Sequence, residues 1–466
     1  MSQGTYDFGL IGLGVMGENF ILNVIDNGFS AIGYDLRTEK IPEFEAKGIH
    51  AVSNLEAFVS GLKRPRKVML LVPAGKPVDD SIENLIPLLE EGDIIIDGGN
   101  AFFKNTDKRE AYLKEKGINF FGMGVSGGSK GARRGPSLMP GGNKEAYEDM
   151  KDILEAVSAK VNGEACVTHL GNTSAGNYVK MVHNGIEYGM MQLIAEAYDF
   201  LKRGAGLNNQ EIYQAFKNYN EGKLQSFLVE ISRDIFAKED ELAEGMLVDK
   251  VLDKAKQKGT GKWTSQDAMN LGIPIPTIDA AVSMRALSAL KSERVAADQA
   301  YALNDDIAVN TNKEAMVKLV GDALYVAFIT TYAQGMHLLF EANKEYNYEL
   351  DLASVAKIWR GGCIIRASLL EDIRKAYKAT PQLKNLLQSD VFQKEIIINY
   401  TSFKEFMQLT TQKGLASLCF SASYNYLNAF ITDRLPLNLV QAQRDYFGSH
   451  TFERIDKEGT FHVEWV

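Results

Sequence analysis

Between Asn177 and Arg203 the apolar residues recur at three- and four-residue spacing, and Gly204 is placed to end a helix whose N-cap is Thr173 or Ser174. On that helix Lys180, His183, Asn184, Glu187 and Tyr188 fall at i, i+3, i+4, i+7 and i+8, which is one face. An amine and a carboxyl group two turns apart offer acid–base chemistry. A lysine desolvated beside a positive charge loses its proton near neutrality and can accept one from a hydroxyl. A glutamic acid in a partly apolar pocket stays protonated and can donate. His183 and Asn184 would hold a substrate by hydrogen bonds on a rigid element. The same stripe would equally serve as a solvated face, with Met181, Val182, Gly185, Ile186 and Gly189 on the other side.

A second feature tips the balance toward chemistry. Gly12-Leu13-Gly14-Val15-Met16-Gly17 follows an apolar strand and opens a helical pattern. In that context the three glycines provide a tight turn, close approach to a pyrophosphate and helix–sheet packing, with the phosphates on the helix N-terminus. Asp35 ends the next strand, 23 residues beyond Gly12, close to the place where an acidic residue meets the adenosine ribose hydroxyls. A carboxylate there repels a 2′-phosphate by about 1–4 kcal/mol at roughly 4 Å, while Arg37 could pair with it. These residues lean to NAD over NADP and leave the choice open.

Gly124-Val125-Ser126-Gly127-Gly128 ends another strand, where ligands of open α/β sheets bind, and could hold a carboxylate. Lys258, Arg285, Arg444 and His450 are scattered cations, each by itself a surface charge.

The elements that must position these groups fall into two kinds. Phe8–Ile11, Ala31–Tyr34, Lys67–Val72, Asp93–Ile96, Asn119–Met123 and Ala165–Leu170 read as apolar strands, alternating with helical segments such as Val15–Asn27, Asp79–Leu89 and Lys104–Lys116. That alternation predicts an α/β Rossmann-type doubly wound domain over 1–176. Of 41 glycines, 22 fall in residues 1–142. Beyond them an all-α domain is predicted over 177–434, interrupted by a turn-rich stretch at Lys258–Trp263. An irregular tail follows over 435–466.

The composition is that of an ordinary globular chain: 466 residues, 45% hydrophobic, 24% charged, net charge −9. That charge disfavours nucleic acid and anionic lipid. Three distant cysteines, Cys166, Cys363 and Cys419, make no disulfide framework, and the six histidines show no zinc spacing, so no metal is expected. With Arg37 the first basic residue and no apolar run approaching about 20 residues, a cytoplasmic protein without a membrane segment is expected.

With Ile94–Asn100, Gly124–Gly128, Gly135–Gly142, Tyr178–Tyr188, Lys258–Thr264 and Gln443–Gly448 added, the chain closely resembles the decarboxylating 6-phosphogluconate dehydrogenases over nearly its whole length. The resemblance implies oxidative decarboxylation of 6-phosphogluconate with NADP or NAD, without metal. It implies that Lys180 is the base and Glu187 the acid. Asn100, Ser126, Gly127, Gly128, His183 and Asn184 would hold the substrate, and Tyr188, Lys258, Arg285, Arg444 and His450 would grip chiefly its phosphate. It further implies a homodimer whose tails exchange, so that Arg444 and His450 complete the partner's site.

Four departures from the family pattern stand out. Asp35-Leu36-Arg37 replaces Asn-Arg-Thr and Val72-Pro73-Ala74 replaces Val-Lys-Ala, both on the cofactor side with Asn100; Ser129-Lys130 replaces Glu-Glu, and Met190 replaces Asp. Two rival readings share the glycine loop: a non-decarboxylating β-hydroxyacid dehydrogenase and a non-catalytic dinucleotide sensor. Length beyond residue 290 and the cations speak against the first, and the helix stripe against the second.

Overall fold

The computed structural model describes residues 5–303 and 312–465. Seven strands, β1 Phe8–Ile11, β2 Ala31–Tyr34, β3 His50–Val52, β4 Lys67–Leu70, β5 Ile94–Asp97, β6 Asn119–Ser126 and β7 Ser137–Gly141, form one sheet in the order β3-β2-β1-β4-β5-β6-β7. Every pairing is parallel except β6 with β7. The strands are apolar because helices bury both faces: Phe20, Ile21, Val24 and Leu154 pack on one, Phe58, Ile82, Leu85 and Leu113 on the other. The order reverses between β1 and β4, and this switch point opens the crevice in which such sheets bind ligands.

The sequence pattern missed β3, which is too short to show a period, and β7, whose Gly- and Pro-containing Ser-Leu-Met-Pro-Gly reads as a turn. The strand expected over Ala165–Leu170 shrinks to Glu164–Ala165, with an isolated bridge from Val167 to Leu138. Its apolar residues are buried without a continuous ladder.

The central helix, Ala175–Asp199, is the hinge of the architecture, and a π-helical turn at Phe200–Gly204 ends it. Its first half is buried on all sides, Glu187 alone being partly exposed. The expected division into polar and apolar faces is therefore real in residue type but not in exposure. One side lies against β6 and β7, and the other against Lys313–Glu345 and the capping helix Thr260–Asn270. Such close packing needs glycine. A Cβ on Gly176 would overlap the carbonyls of Met139 and Gly122, and one on Gly335 would sit 2.5 Å from Ile186 Cδ1.

Three expectations are corrected here. The stretch Lys258–Trp263 is not all turn, because left-handed Gly259 starts the capping helix at Thr260. The tail is not irregular: it folds as helix Leu437–Gly448 followed by a hairpin pairing Phe452–Glu453 with Thr460–Phe461. Lys313–Glu345 is also long and apolar enough, by length and composition, to cross a membrane, and 72% of its most apolar window is buried inside the protein. Within it, residues 323–340 carry no Asp, Glu, Lys or Arg side chain, and all of them but His337 are buried. Over that stretch it is a core helix buried on all sides, and its two ends reach the surface.

Gly176→Ala should cost about 3 kcal/mol of stability, because the obstructing atoms are backbone and cannot turn aside. The measurement is the thermal unfolding midpoint; an unchanged midpoint would mean that the helix and the sheet can part without loss.

Candidate active site

The central helix brings three of the sequence-selected residues, Lys180, His183 and Asn184, into one hydrogen-bonded cluster, with Glu187 beside it. Lys180 Nζ lies 3.5 Å from His183 Nδ1, which is 3.0 Å from Asn184 Oδ1. His183 Nε2 is 3.3 Å from Ser126 Oγ at the end of β6, and Asn184 Nδ2 donates to Thr260 Oγ1 at 3.2 Å. Glu187 Oε2 approaches His183 Nδ1 to 3.8 Å. These partners assign the tautomer: Nδ1–H donates to Asn184, and Nε2 accepts from the Ser126 hydroxyl.

The electrostatics follow from burial. Desolvation pushes Lys180 below its ordinary value, only partly opposed by the charge of Glu187. Burial pushes Glu187 up, with Lys180 and Arg285 pulling the other way. His183, fully enclosed and beside Lys180, is held well below its usual range despite the bond to Asn184, and is neutral. The lysine stem fits because position 124 is glycine: a Cβ there would overlap Lys180 Cβ and lie 2.8 Å from its Cγ. One helix face thus carries a lysine biased toward the free amine and a glutamate biased toward the acid.

Tyr188 continues the stripe. The Arg285 guanidinium stacks 3.3 Å from its ring centroid, and the backbone of Gly261 closes on the Cδ2–Cε2 edge, where a Cβ would meet Tyr188 Cδ2 at 2.6 Å. Arg285 is half-buried, so its expectation as a surface charge is corrected. Lys258 is exposed just before the capping helix, and Asn100 is exposed beyond β5. Gly127 takes φ +103°, and its Cα faces the Gly362 carbonyl so closely that a Cβ would stand 2.5 Å from that oxygen. Arg444 and His450 are exposed on the tail, where Arg444 bonds Gln441 at 3.1 Å. The chain does not gather these two cations with the others.

Several contributors escaped the sequence reading. Trp359 meets the His183 ring edge-on at 5.7 Å, and Cys363, buried beside Lys180 with its thiol pushed up to about 12 by burial, bonds the Trp359 carbonyl. The Gly361-Gly362 pair after a helix was the available signal. Thr260 lies inside a stretch that was read as turn. Arg109 ties together the loops beyond β4 and β5 by donating to Asp97 Oδ2 at 3.3 Å, Asp79 Oδ1 at 2.7 Å and the Gly75 carbonyl at 3.1 Å. Asp97 in turn accepts from Gly99 N, fixing the turn that carries Asn100. No sequence spacing announces that clasp.

At the other end of the crevice the glycine loop fits a dinucleotide. Gly12, at φ +95°, would drive a Cβ to 2.7 Å from the Leu71 carbonyl, and a Cβ on Gly17 would overlap the Gly12 carbonyl, whereas nothing lies within 4 Å of a Cβ placed on Gly14. The first and third glycines shape the turn, and the second leaves its approach open. A cavity of about 430 Å³ beside the loop is lined by Gly12, Asp35, Leu36, Arg37, Val72 and Pro73 among others; Leu13 is buried, Val15, Leu36 and Ala74 are exposed, and Met16 is intermediate. Asp35 is buried and accepts from Leu13 N at 3.0 Å, while Arg37 grips it through Nε and Nη2, both at 2.8 Å. Burial pushes Asp35 up, but the Arg37 bonds and charge and the Leu13 amide outweigh it and leave the carboxyl below its usual value. Among the described residues no group of three or more His, Cys, Asp or Glu side chains is placed to hold a metal ion.

Comparison with known proteins adds an independent line. Residues 7–171 match the family model described as the NAD binding domain of 6-phosphogluconate dehydrogenase, and residues 176–465 match that of its C-terminal domain. The chain is 49% identical to the NADP(+)-dependent, decarboxylating 6-phosphogluconate dehydrogenase of Bacillus subtilis, over 98% of each. It is 46% identical to a decarboxylating 6-phosphogluconate dehydrogenase of Spinacia oleracea, over 98% of this chain and 97% of the relative. The solved 6-phosphogluconate dehydrogenase of Plasmodium falciparum, studied in its apo form and with its cofactor NADP+ and its substrate 6-phosphogluconate, superposes with a TM-score of 0.96 at 44% identity, over 98% of this chain and all of that one. A nicotinamide dinucleotide is thus the cofactor class, and sheet, helical domain and tail match as one unit. The chain belongs to the 6-phosphogluconate dehydrogenase family.

Proposed function

We propose that the protein oxidises and decarboxylates 6-phospho-D-gluconate to D-ribulose 5-phosphate and carbon dioxide, and that NAD is its preferred cofactor. The observation that carries the reading is Lys180 and Glu187 on one enclosed helix face, displaced in opposite directions by burial. The whole-length relatives speak against the shorter, non-decarboxylating dehydrogenase and against a sensor without chemistry.

The substrate carboxylate sits at the Ser126-Gly127-Gly128 turn, and its C3 hydroxyl lies between Lys180, His183 and Asn184, with Asn100 on the open side. Its phosphate is gripped by Tyr188, Lys258 and Arg285. Lys180 takes the C3 hydroxyl proton; when bound, the dinucleotide supplies the two-electron acceptor for the C3 hydrogen. The 3-keto acid then breaks its C1–C2 bond, carbon dioxide leaves, and the electron pair moves through a new C2–C3 double bond onto the C3 oxygen as an enediolate, whose charge the protonated Lys180 balances. Glu187 delivers its proton to the former C2, which becomes the hydroxymethyl carbon of the product. The ketone is the electron sink. Neutral His183 accepts from Ser126 and holds Asn184, so the two keep their orientation throughout.

The cofactor preference rests on Asp35. A 2′-phosphate would have to strip Arg37 from its two-bonded grip and lie beside an ionised carboxylate anchored by Leu13 N. A ribose diol asks for neither. Val72, Pro73 and Ala74 bring no cation to that side, and Leu36 is 81% exposed over the cavity, where an adenine can lie against it. We assign the reaction to the cytoplasm, in keeping with three buried free thiols. We further assign the working form to a homodimer in which each tail brings its Arg444 and His450 to the other copy's phosphate site. In support, the tail helix packs chiefly on its own hairpin, and its Leu437, Leu439, Val440 and Phe447 are exposed.

Four outcomes test this. Purified protein should release carbon dioxide in step with dinucleotide reduction, and Lys180→Met should lower kcat by about 10³-fold while still binding dinucleotide; near-normal turnover would place the base elsewhere. Activity should rise as Lys180 loses its proton and fall as Glu187 loses its own, and the residual rate of Glu187→Gln should keep the rise and lose the alkaline fall; a retained fall would remove Glu187 from its role. The NAD to NADP ratio of kcat/KM should exceed one and drop by about tenfold or more in Asp35→Asn; a wild type that favours NADP overturns the cofactor assignment. Coexpressed Lys180→Met and Arg444→Ala chains should regain, at low substrate concentration, activity that neither homodimer shows there, since one of the two sites is then intact; no regain would mean that each tail serves its own chain.

A further inference from the structure

Arg444 and His450, which the proposed function places at the other copy's phosphate site, flank a residue that does not face solvent. Asp445 is fully buried although Arg444, Tyr446 and Phe447 beside it are exposed. Four donors converge on its carboxylate: Thr451 N at 2.9 Å and His462 Nδ1 at 2.8 Å on Oδ1, and Trp465 Nε1 at 2.9 Å and Val463 N at 3.4 Å on Oδ2. One side chain thus joins the helix, the turn after it and the far end of the hairpin.

The turn carries His450, and it is held in an unfavourable shape. Ser449 and Thr451 both have left-handed backbones, φ +49° and +61°, with no glycine to ease them. Ser449 N bonds the Asp445 carbonyl, Thr451 N bonds its carboxylate, and the Thr451 carbonyl accepts from Gln441 Nε2 at 2.6 Å. His450 is therefore clamped on both sides by bonds that start from Asp445 and from the helix turn before it. Burial raises the acid's pKa, but the bonds from His462, Trp465, Val463 and Thr451 outweigh it and leave Asp445 below its ordinary value.

We propose that Asp445 is a positioning residue: it folds the tail into a preformed unit that presents Arg444 and His450 at a fixed spacing, so that the phosphate grip is organised before the second copy receives it. The proposal rests on the tail exchange proposed above. Among the described residues the hydrogen bonds of 437–465 close within the tail, so this order does not come from the chain's own body.

The test is steady-state kinetics of Asp445→Asn and Trp465→Phe beside Arg444→Ala, with the oligomer measured by sedimentation. Asn keeps an acceptor for Thr451 but sets an amide NH2, a donor, against Trp465 Nε1 and Val463 N, so neither of these is accepted; Phe keeps an aromatic ring and removes one donor. Asp445→Asn should raise the KM for 6-phosphogluconate by about tenfold, leave the dinucleotide KM unchanged and preserve the dimer, with Trp465→Phe in the same direction but smaller. Coexpressed with Lys180→Met chains, it should recover the wild-type KM, as Arg444→Ala does. An Asp445→Asn enzyme with a normal substrate KM while Arg444→Ala is impaired overturns this proposal alone. If Arg444→Ala leaves the substrate KM unchanged, the tail reading itself has failed. Should Asp445→Asn not dimerise, Trp465→Phe decides by the same KM.

Discussion

The structure depends on how closely the central helix lies against the end of β6 and β7. Gly122, Gly124 and Gly176 leave no side chain between helix and sheet, and Gly335 lets the long helix Lys313–Glu345 close from behind. Removing that space removes water, and removing water is what displaces the two titratable groups. Lys180 is pushed down and Glu187 up by the same burial. Packing and acid–base chemistry are therefore one constraint: a looser contact would return both groups to ordinary values.

The surrounding parts make sense as supports for that contact. Thr264 donates to the Met181 carbonyl at 2.9 Å, and Thr260 meets Asn184, so the capping helix is fastened to the central helix on both sides of the cluster. The turn at Gly361-Gly362 packs on Gly127, with Trp359 against His183 and Cys363 behind Lys180. Arg109 fastens the loops above β4 and β5, on the dinucleotide side. Three separate stretches of chain thus hold a cluster whose reacting members all belong to one helix or to the end of one strand.

Much of this was legible in the sequence, because the responsible signals are local. The glycine loop, the apolar strands and the polar stripe each depend on residues a few positions apart, so period and spacing reveal them. The elements that escaped are those set by tertiary surroundings. β7 is antiparallel and Gly- and Pro-containing, and exists because β6 offers it an edge. The capping helix starts inside a glycine-rich stretch because Gly259 takes a left-handed backbone, which propensity reads as a break. The tail's helix and hairpin are joined by Asp445 across up to 20 residues, a distance at which no period survives. Burial of the stripe was equally invisible: a polar helix face reads as solvated until the glycines on the opposing strand are placed against it.

The most direct test of the account is the titration of Lys180 itself. In intact protein with nitrogen-labelled lysines, the Nζ resonance missing from Lys180→Met identifies the group, and its chemical shift is followed against pH. The account predicts a midpoint clearly below the ordinary lysine value of about 10.4. A midpoint at or above that value would contradict it, since close packing of helix on sheet would then not have displaced the lysine on which the proposed chemistry depends.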